Sequence, residues 1–312
     1  MGEWSKKVGE AGEALVGEFL SLVGWDTAKR GVSIPCVKAD THAIAEHPRT
    51  THGIDYLLAH RSPLVDDLGQ HIVVSVKYSA DPYPASPSAI FKKHFVDLAL
   101  TLECFKNSQT RQDNAQALRG VRKVQDVGVL FWLNNDRRGD GDVIARLPRV
   151  NLPDGLNYDA IYVVDNRRAQ FVFDSFKYAK QLGKDSDVRV SYHETGKNLN
   201  PLQKTHCGSF LPVEYVNSSV LPFRILERES HQQALFLSTL ERFSESGLKR
   251  LLGLAQQLSQ GWGTKVIVAF PDYDPLMHSN MVQGAKGCFS DEGFIGKLEI
   301  HCYDSDFRTL HH

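Results

Sequence analysis

His52-Gly53-Ile54-Asp55-Tyr56-Leu57-Leu58 and, after a polar connection, His71-Ile72-Val73-Val74-Ser75-Val76-Lys77-Tyr78-Ser79 are two apolar runs of strand length. Ser62, Pro63, Asp66, Asp67 and Gly69 between them supply turn chemistry, so the pair reads as a β-hairpin with a long loop. In the second run Ile72, Val74 and Val76 point to one face of a sheet and Val73, Ser75 and Lys77 to the other. A lysine closing an otherwise β-branched, buried strand must reach water, pair with a carboxylate or do chemistry. Asp55 on the neighbouring strand is the carboxylate that the pattern offers.

This pairing resembles the PD-(D/E)xK phosphodiesterase superfamily, in which an Asp on one core strand and an (Asp/Glu)-x-Lys on the next hold Mg²⁺ and the attacking water. Gly53-Ile54-Asp55 matches the first half, and Ser75-Val76-Lys77 matches the second except that Ser75 stands where the second acid is expected. A hydroxyl is a weak ligand for a hard cation, so the resemblance implies a carboxylate from elsewhere. Gly9-Glu10-Ala11-Gly12-Glu13, followed by an apolar stretch ending at Gly24-Trp25, is similar to the superfamily's first helix, and on that match Glu13 enters the active centre. Glu103, on the apolar helix after the lysine strand, is a second candidate.

The resemblance therefore implies catalytic Glu13, Asp55 and Lys77 with Ser75 and Glu103 in support. Mg²⁺ or Mn²⁺ would be held by Glu13, Asp55 and the backbone carbonyl of Val76, and Lys77 would orient or deprotonate the water. The implied fold is α/β, a restriction-endonuclease-like core with a mixed central sheet flanked by helices. His52-Gly53-Ile54-Asp55, Val76-Lys77-Tyr78 and Leu102-Glu103-Cys104-Phe105-Lys106 together resemble nuclease subunits of two-gene bacterial anti-phage systems. That likeness implies a metal-dependent DNA endonuclease acting on invading DNA, a protein partner encoded by a neighbouring gene, and restraint until a trigger arrives. Two alternatives stay open: a catalytically inactive module that binds nucleic acid ends or scaffolds a partner, and an RNA nuclease.

Lys plus Arg number 36 against 37 Asp plus Glu, so long-range attraction to a polyanion is absent and nucleic-acid contacts must come from local clusters. Lys92 and Lys93, then Arg119, Arg122 and Lys123, then Arg137 and Arg138 are the candidates. No stretch approaches the length of a membrane span, and the N-terminus lacks the apolar run of a secretory signal. Five cysteines, an odd and scattered set, indicate reduced thiols and a cytoplasmic protein. Cys36, His42, His47 and His52 fall at spacings that could serve zinc, although not in a known finger pattern; the alternative is surface histidines in a polar loop.

The wider pattern predicts a nuclease-like domain over 1–180 and a smaller C-terminal α/β lobe over 209–310, with a polar linker across 183–208. The first domain has helices over 8–24 and 90–105, a strand over 127–133 and a hairpin of strands 159–165 and 169–174. In the lobe, strands are expected over 211–215, 221–226, 264–270 and 297–303. A long helix over 231–260 carries enough leucines to cover its own sheet or to receive a partner or a second copy in a homodimer. There is no P-loop, no GxGxxG after a strand and no GxSxG, so nucleotide hydrolysis and α/β-hydrolase chemistry lack support.

Overall fold

The computed structural model describes residues 2–43, 47–136, 142–147, 150–184, 186–199, 204–227 and 232–304, and divides the chain into two compact units. The first comprises Met1–Ala169 with Thr195–Pro201 and Pro212–Asn217; the second comprises Gln170–Glu194, Leu202–Leu211 and Ser218–His312.

In the first unit, helix α1 (Gly2–Leu22) precedes five strands, β1 (Lys29–Pro35), β2 (Thr51–Arg61), β3 (Leu68–Ser79), β4 (Lys123–Asn134) and β5 (Ala160–Val164), which lie in the order β1-β2-β3-β4-β5. β1, β2 and β3 are antiparallel, whereas β3, β4 and β5 are parallel, which makes a mixed sheet. The quoted hairpin is β2 and β3, paired from Tyr56–Val74 to Arg61–Gly69. Helix α2 (Ser88–Lys106), between β3 and β4, buries Phe91, Phe95, Leu98, Leu102 and Phe105 against Leu57, Val73, Leu130 and Trp132. Helix α3 (Gln109–Ala117) follows, its first turn capped by the Ser108 hydroxyl accepting from Arg111 N–H.

α1 lies on the other face of the sheet. A side chain at Gly12 would overlap Tyr78, and one at Gly17 would meet the Tyr56 hydroxyl at 2.8 Å, so those glycines let the helix settle directly on β3 and β2. Tyr56 Oη then donates to the Glu13 carbonyl at 2.7 Å. The helix ends where Gly24 turns to φ 79° and Trp25 N–H reaches back to Leu20 carbonyl at 2.8 Å, with the Trp25 side chain buried.

The second unit takes α4 (Asn166–Leu182) from residue 170 onward, then β6 (Ser186–Ser191), β7 (Cys207–Gly208), β8 (Val220–Glu227), β9 (Gln233–Thr239), α5 (Glu245–Ser259), β10 (Lys265–Phe270), α6 (Pro275–Lys286), α7 (Glu292–Ile295) and β11 (Leu298–Cys302). Its sheet runs β11-β10-β9-β8-β6-β7, parallel from β11 to β9 and antiparallel beyond. No helix among the described residues is long and apolar enough to cross a membrane.

Several sequence expectations change here. Residues 169–174 are helical within α4, because Phe171, Val172, Ser175, Phe176 and Ala179 recur at helical spacing and are buried. The stretch read as a linker contains β6 and β7, and Leu211–Tyr215 ends in a 3₁₀ turn at Val213–Tyr215. The long helix expected over 231–260 is β9 followed by α5, split by Ser244, whose hydroxyl caps Gly247 N–H. Its leucines at 235, 237, 248, 251 and 252 are buried in the unit's own core, so they are not spare surface for a partner. Arg137 and Arg138 lie outside the described residues.

Candidate active site

β2 and β3 stop pairing beyond Tyr56–Val74, and Asp55 sits at that parting. Ile54 and Leu57 both enter the cluster beneath α2 although an odd step separates them, so the strand's alternation slips by one residue around Asp55. Its carboxylate replaces a strand partner: Val76 N–H donates to Asp55 Oδ2 at 2.6 Å. A residue's N–H and C=O point to the same side of an antiparallel strand, so the Val76 carbonyl also faces the parting, where β2 leaves it unpaired.

Burial pushes the Asp55 carboxyl above its ordinary pKa, while the Val76 hydrogen bond and the charge of Lys77 oppose the rise and Glu13 and Asp97 add to it. Asp55 Oδ1 has no hydrogen-bond partner among the described residues. A half-desolvated carboxylate with a free oxygen, flanked by two further acids and a backbone carbonyl, is a donor set that fits a hard divalent cation.

Lys77 projects onto the α2 face, but the carboxylate that meets it is Asp97, with Lys77 Nζ donating to Asp97 Oδ2 at 3.1 Å. Arg49 Nη1 donates to Asp97 Oδ1 at 2.8 Å. Despite burial, which acts the other way, Lys77 and Arg49 hold the Asp97 pKa below the ordinary carboxylate value. His94, one turn earlier on α2, is pushed down to about 4 by burial and then by Lys77 and Lys93, so it is neutral near pH 7. An open groove of about 650 Å³ adjoins these groups, its lining including Trp4, Lys77, Tyr78, Tyr83, His94 and Trp132.

The remaining predicted residues divide. Glu13 accepts from Arg30 Nη2 at 3.0 Å and stands close enough to raise the Asp55 pKa. Ser75 lies on β3 opposite Leu130 of β4, two residues before Lys77. Glu103 does not join this site: one oxygen accepts from Lys38 Nζ at 2.7 Å and the other contacts His42 Nε2 at 3.0 Å. His47 is exposed, and the buried group around His42 and His52 contains Cys104 in its place. Lys92 and Lys93 are exposed at the start of α2, beside His94. Arg119, Arg122 and Lys123 are at the opposite end of the sheet: β3–β4 register sets Lys123 against Leu68 and Trp132 against Lys77, roughly 30 Å of strand apart. Arg122 is also paired with Asp67 at 3.2 Å.

Asp97 is the residue that sequence reading missed. The signal was present as a polar stripe on an apolar helix, with His94, Asp97 and Thr101 at spacings of three and four. Such a stripe runs along one face, and here that face meets β2 and Lys77.

Residues 1–168, more than half of the chain, match the family model described as the GAPS4 protein PD-(D/E)XK nuclease domain. The chain belongs to that family. It is an anti-phage defence family, so residues 1–168 are a nuclease domain of a defence-associated family. None of the curated proteins and none of the solved structures matches the chain.

Proposed function

We propose that the chain is a metal-dependent DNA endonuclease, the effector of an anti-phage system, restrained until triggered and paired with a protein from a neighbouring gene. The observation that carries this reading is the convergence of Asp55, Lys77 and Asp97 where β2 and β3 part, within a domain of the nuclease family.

In this reading Asp55, the Val76 carbonyl and Glu13 or Asp97 would hold Mg²⁺ or Mn²⁺, which would supply Lewis acidity toward the phosphate and acidify a water. Lys77 orients that water or neutralises charge developing on the phosphate, and Asp97 fixes where its ammonium sits. Asp97 is the acid relocated from position 75 to α2, and Glu13 approaches from α1 on the opposite face. The groove with Trp4, Tyr78 and Trp132 offers aromatic faces beside a lysine, a combination suited to stacking bases while holding backbone charge.

A second reading is favoured by Ser75: a domain that has lost catalysis and binds nucleic acid ends or scaffolds a partner. The test incubates the full chain, with and without the neighbouring gene's product, with supercoiled plasmid, linear DNA and single-stranded RNA in Mg²⁺, Mn²⁺ or EDTA. Metal-dependent nicking of DNA that Asp55→Ala abolishes is the expected result. Cutting of RNA alone would replace the substrate, and tight binding to ends with no cutting in any metal would select the inactive module.

A further inference from the structure

Four soft donors converge away from the charged site. They are Cys36 at the end of β1, His42 in the connection to β2, His52 at the start of β2 and Cys104 in the last turns of α2. Cys36 Sγ and Cys104 Sγ are 3.8 Å apart, His42 Nδ1 is 3.5 Å from the first and 3.4 Å from the second, and His42 Nδ1 is 3.3 Å from His52 Nε2. All four donor atoms lie within 4.8 Å of one another. A tetrahedron built on a Zn–S bond of about 2.3 Å and a Zn–N bond of about 2.05 Å has edges of about 3.8 Å for S–S, about 3.5 Å for S–N and about 3.3 Å for N–N.

The outer hydrogen bonds fix the imidazoles. Thr101 uses its one hydroxyl proton on the Asp97 carbonyl at 2.8 Å, so its oxygen can only accept from His52 Nδ1 at 3.2 Å. That leaves the His52 Nε2 lone pair pointing into the cluster. Glu103, itself anchored by Lys38, accepts from His42 Nε2, which leaves the His42 Nδ1 lone pair pointing inward as well. Two lone pairs facing each other at 3.3 Å in a buried site, with two thiols beside them, repel unless a cation lies between.

We propose that Cys36, His42, His52 and Cys104 hold one structural Zn²⁺. As it binds, two Zn–S bonds form and two S–H bonds break, both protons pass to solvent and no electrons are exchanged. Two thiolates cancel the charge of the ion, so the buried centre is neutral overall. Tetrahedral S₂N₂ coordination with no open position is that of a structural rather than catalytic site. The ion explains how residues 36–43 and 47–50 are held together, with Cys36 N–H on Thr50 carbonyl at 2.8 Å and Arg49 N–H on Ala39 carbonyl at 3.0 Å. It also pins these residues and β2 to α2; β2 and α2 are the two elements that carry Asp55 and Asp97.

Elemental analysis of the full chain purified without added metal should find one zinc per chain, retained in Asp55→Ala. Cobalt taken up in its place should give tetrahedral d–d absorption and thiolate-to-cobalt charge transfer, and stripping the ion should lower the thermal midpoint by on the order of 10 °C or more. Cys104→Ser should lose both the metal and the cobalt spectrum; if that variant does not fold, the wild-type cobalt spectrum and zinc release on titration with a thiol-modifying reagent decide on their own. These readouts need no nuclease activity, so failure of the proposed function leaves them intact. Wild-type protein that neither carries zinc nor binds cobalt overturns the proposal, as does iron in zinc's place or full zinc content in a folded Cys36→Ser, Cys104→Ser double variant.

Discussion

Two polar clusters are mounted on the same strand and the same helix, and they solve burial in opposite ways. Around Asp55, Lys77 and Asp97 the donors are hard oxygens and fixed cations, and the balance among them is incomplete: Asp55 keeps a free oxygen and an elevated pKa. Around Cys36, His42, His52 and Cys104 the donors are soft, with His42, His52 and Cys104 buried and Cys36 half-buried. His52 and Asp55 are about 10 Å apart along β2, and Asp97 and Cys104 are about 10.5 Å apart along α2. The closed cluster therefore holds strand and helix in step, while the open one keeps a place where charge must still be supplied. Thr101 is the joint between them, bonded to His52 on one side and to the Asp97 carbonyl on the other.

The largest effect should come from breaking the open cluster. Asp55→Ala and Lys77→Ala should each lower cleavage by about 10³-fold or more while the protein stays folded, because neither side chain belongs to the apolar core, although each variant gives up one hydrogen bond, to Val76 N–H or to Asp97. Wild-type cutting by either variant would remove the catalytic assignment. The Asp55 carboxyl must also be ionised to take a cation. Since its folded pKa is raised, Mg²⁺ affinity should start to fall at a pH above the ordinary carboxylate range, and isothermal titration as pH is lowered would read the competition.

The second effect separates the acids. If Asp97 replaces the carboxylate absent from position 75, Asp97→Asn should cost about 10²-fold in rate, with Lys77 released from its partner. Glu13→Gln should cost less if Glu13 only answers Arg30, and as much if it ligates the ion. Glu103→Gln should leave metal binding at the nuclease site unchanged and lower zinc affinity by about 10-fold, since it orients His42. A Glu103 variant that loses cleavage with its zinc intact would return that residue to the catalytic set.

The alternation through β3 and the turn residues before it made the hairpin readable, and the Gly-Glu helix, the Asp and the Lys followed from the resemblance. Those signals are local in sequence. Asp97 and Cys104 were not readable because their roles depend on which face of α2 meets β2, and an apolar helix with a few polar positions does not declare its rotation. Spacing alone offers His47 and not Cys104 as a possible zinc ligand for the same reason: spacing in a loop says little about which donors a distant helix brings. The 231–260 stretch failed differently. Its leucines satisfy both periods until Ser244 is recognised as an N-cap, and only then do a strand and a helix separate.

A third, smaller effect concerns the surface. Lys92 and Lys93 are exposed next to His94, which lines the groove, while Arg119, Arg122 and Lys123 are a sheet length away, with Arg122 already answered by Asp67. Replacing Lys92 and Lys93 with alanine should lower the slope of log affinity against log salt by about two units, and replacing Arg119 and Arg122 should lower it by less than one. Equal losses from the two ends would mean that nucleic acid spans the whole edge of the sheet.

The smallest effect is on stability, and its sign follows from His94. Its folded pKa of about 4 lies below the ordinary 6.5, because burial and the charges of Lys77 and Lys93 disfavour the imidazolium. Between those values the unfolded chain binds the proton and the folded chain does not, so stability rises with pH across the window and is lost as pH falls from about 6.5 toward about 4. His60, also lowered to about 4 by burial and then Arg61, adds to the same slope from the far end of β2. His94→Gln should flatten part of the decline in urea midpoint between pH 7 and pH 5, whereas the zinc cluster should fail more abruptly in acid as protons displace the ion from its thiolates. A His94→Gln protein whose midpoint falls as steeply as wild type over that range would mean that His94 is protonated in the folded state, and then its charge, rather than its neutral ring, faces the groove.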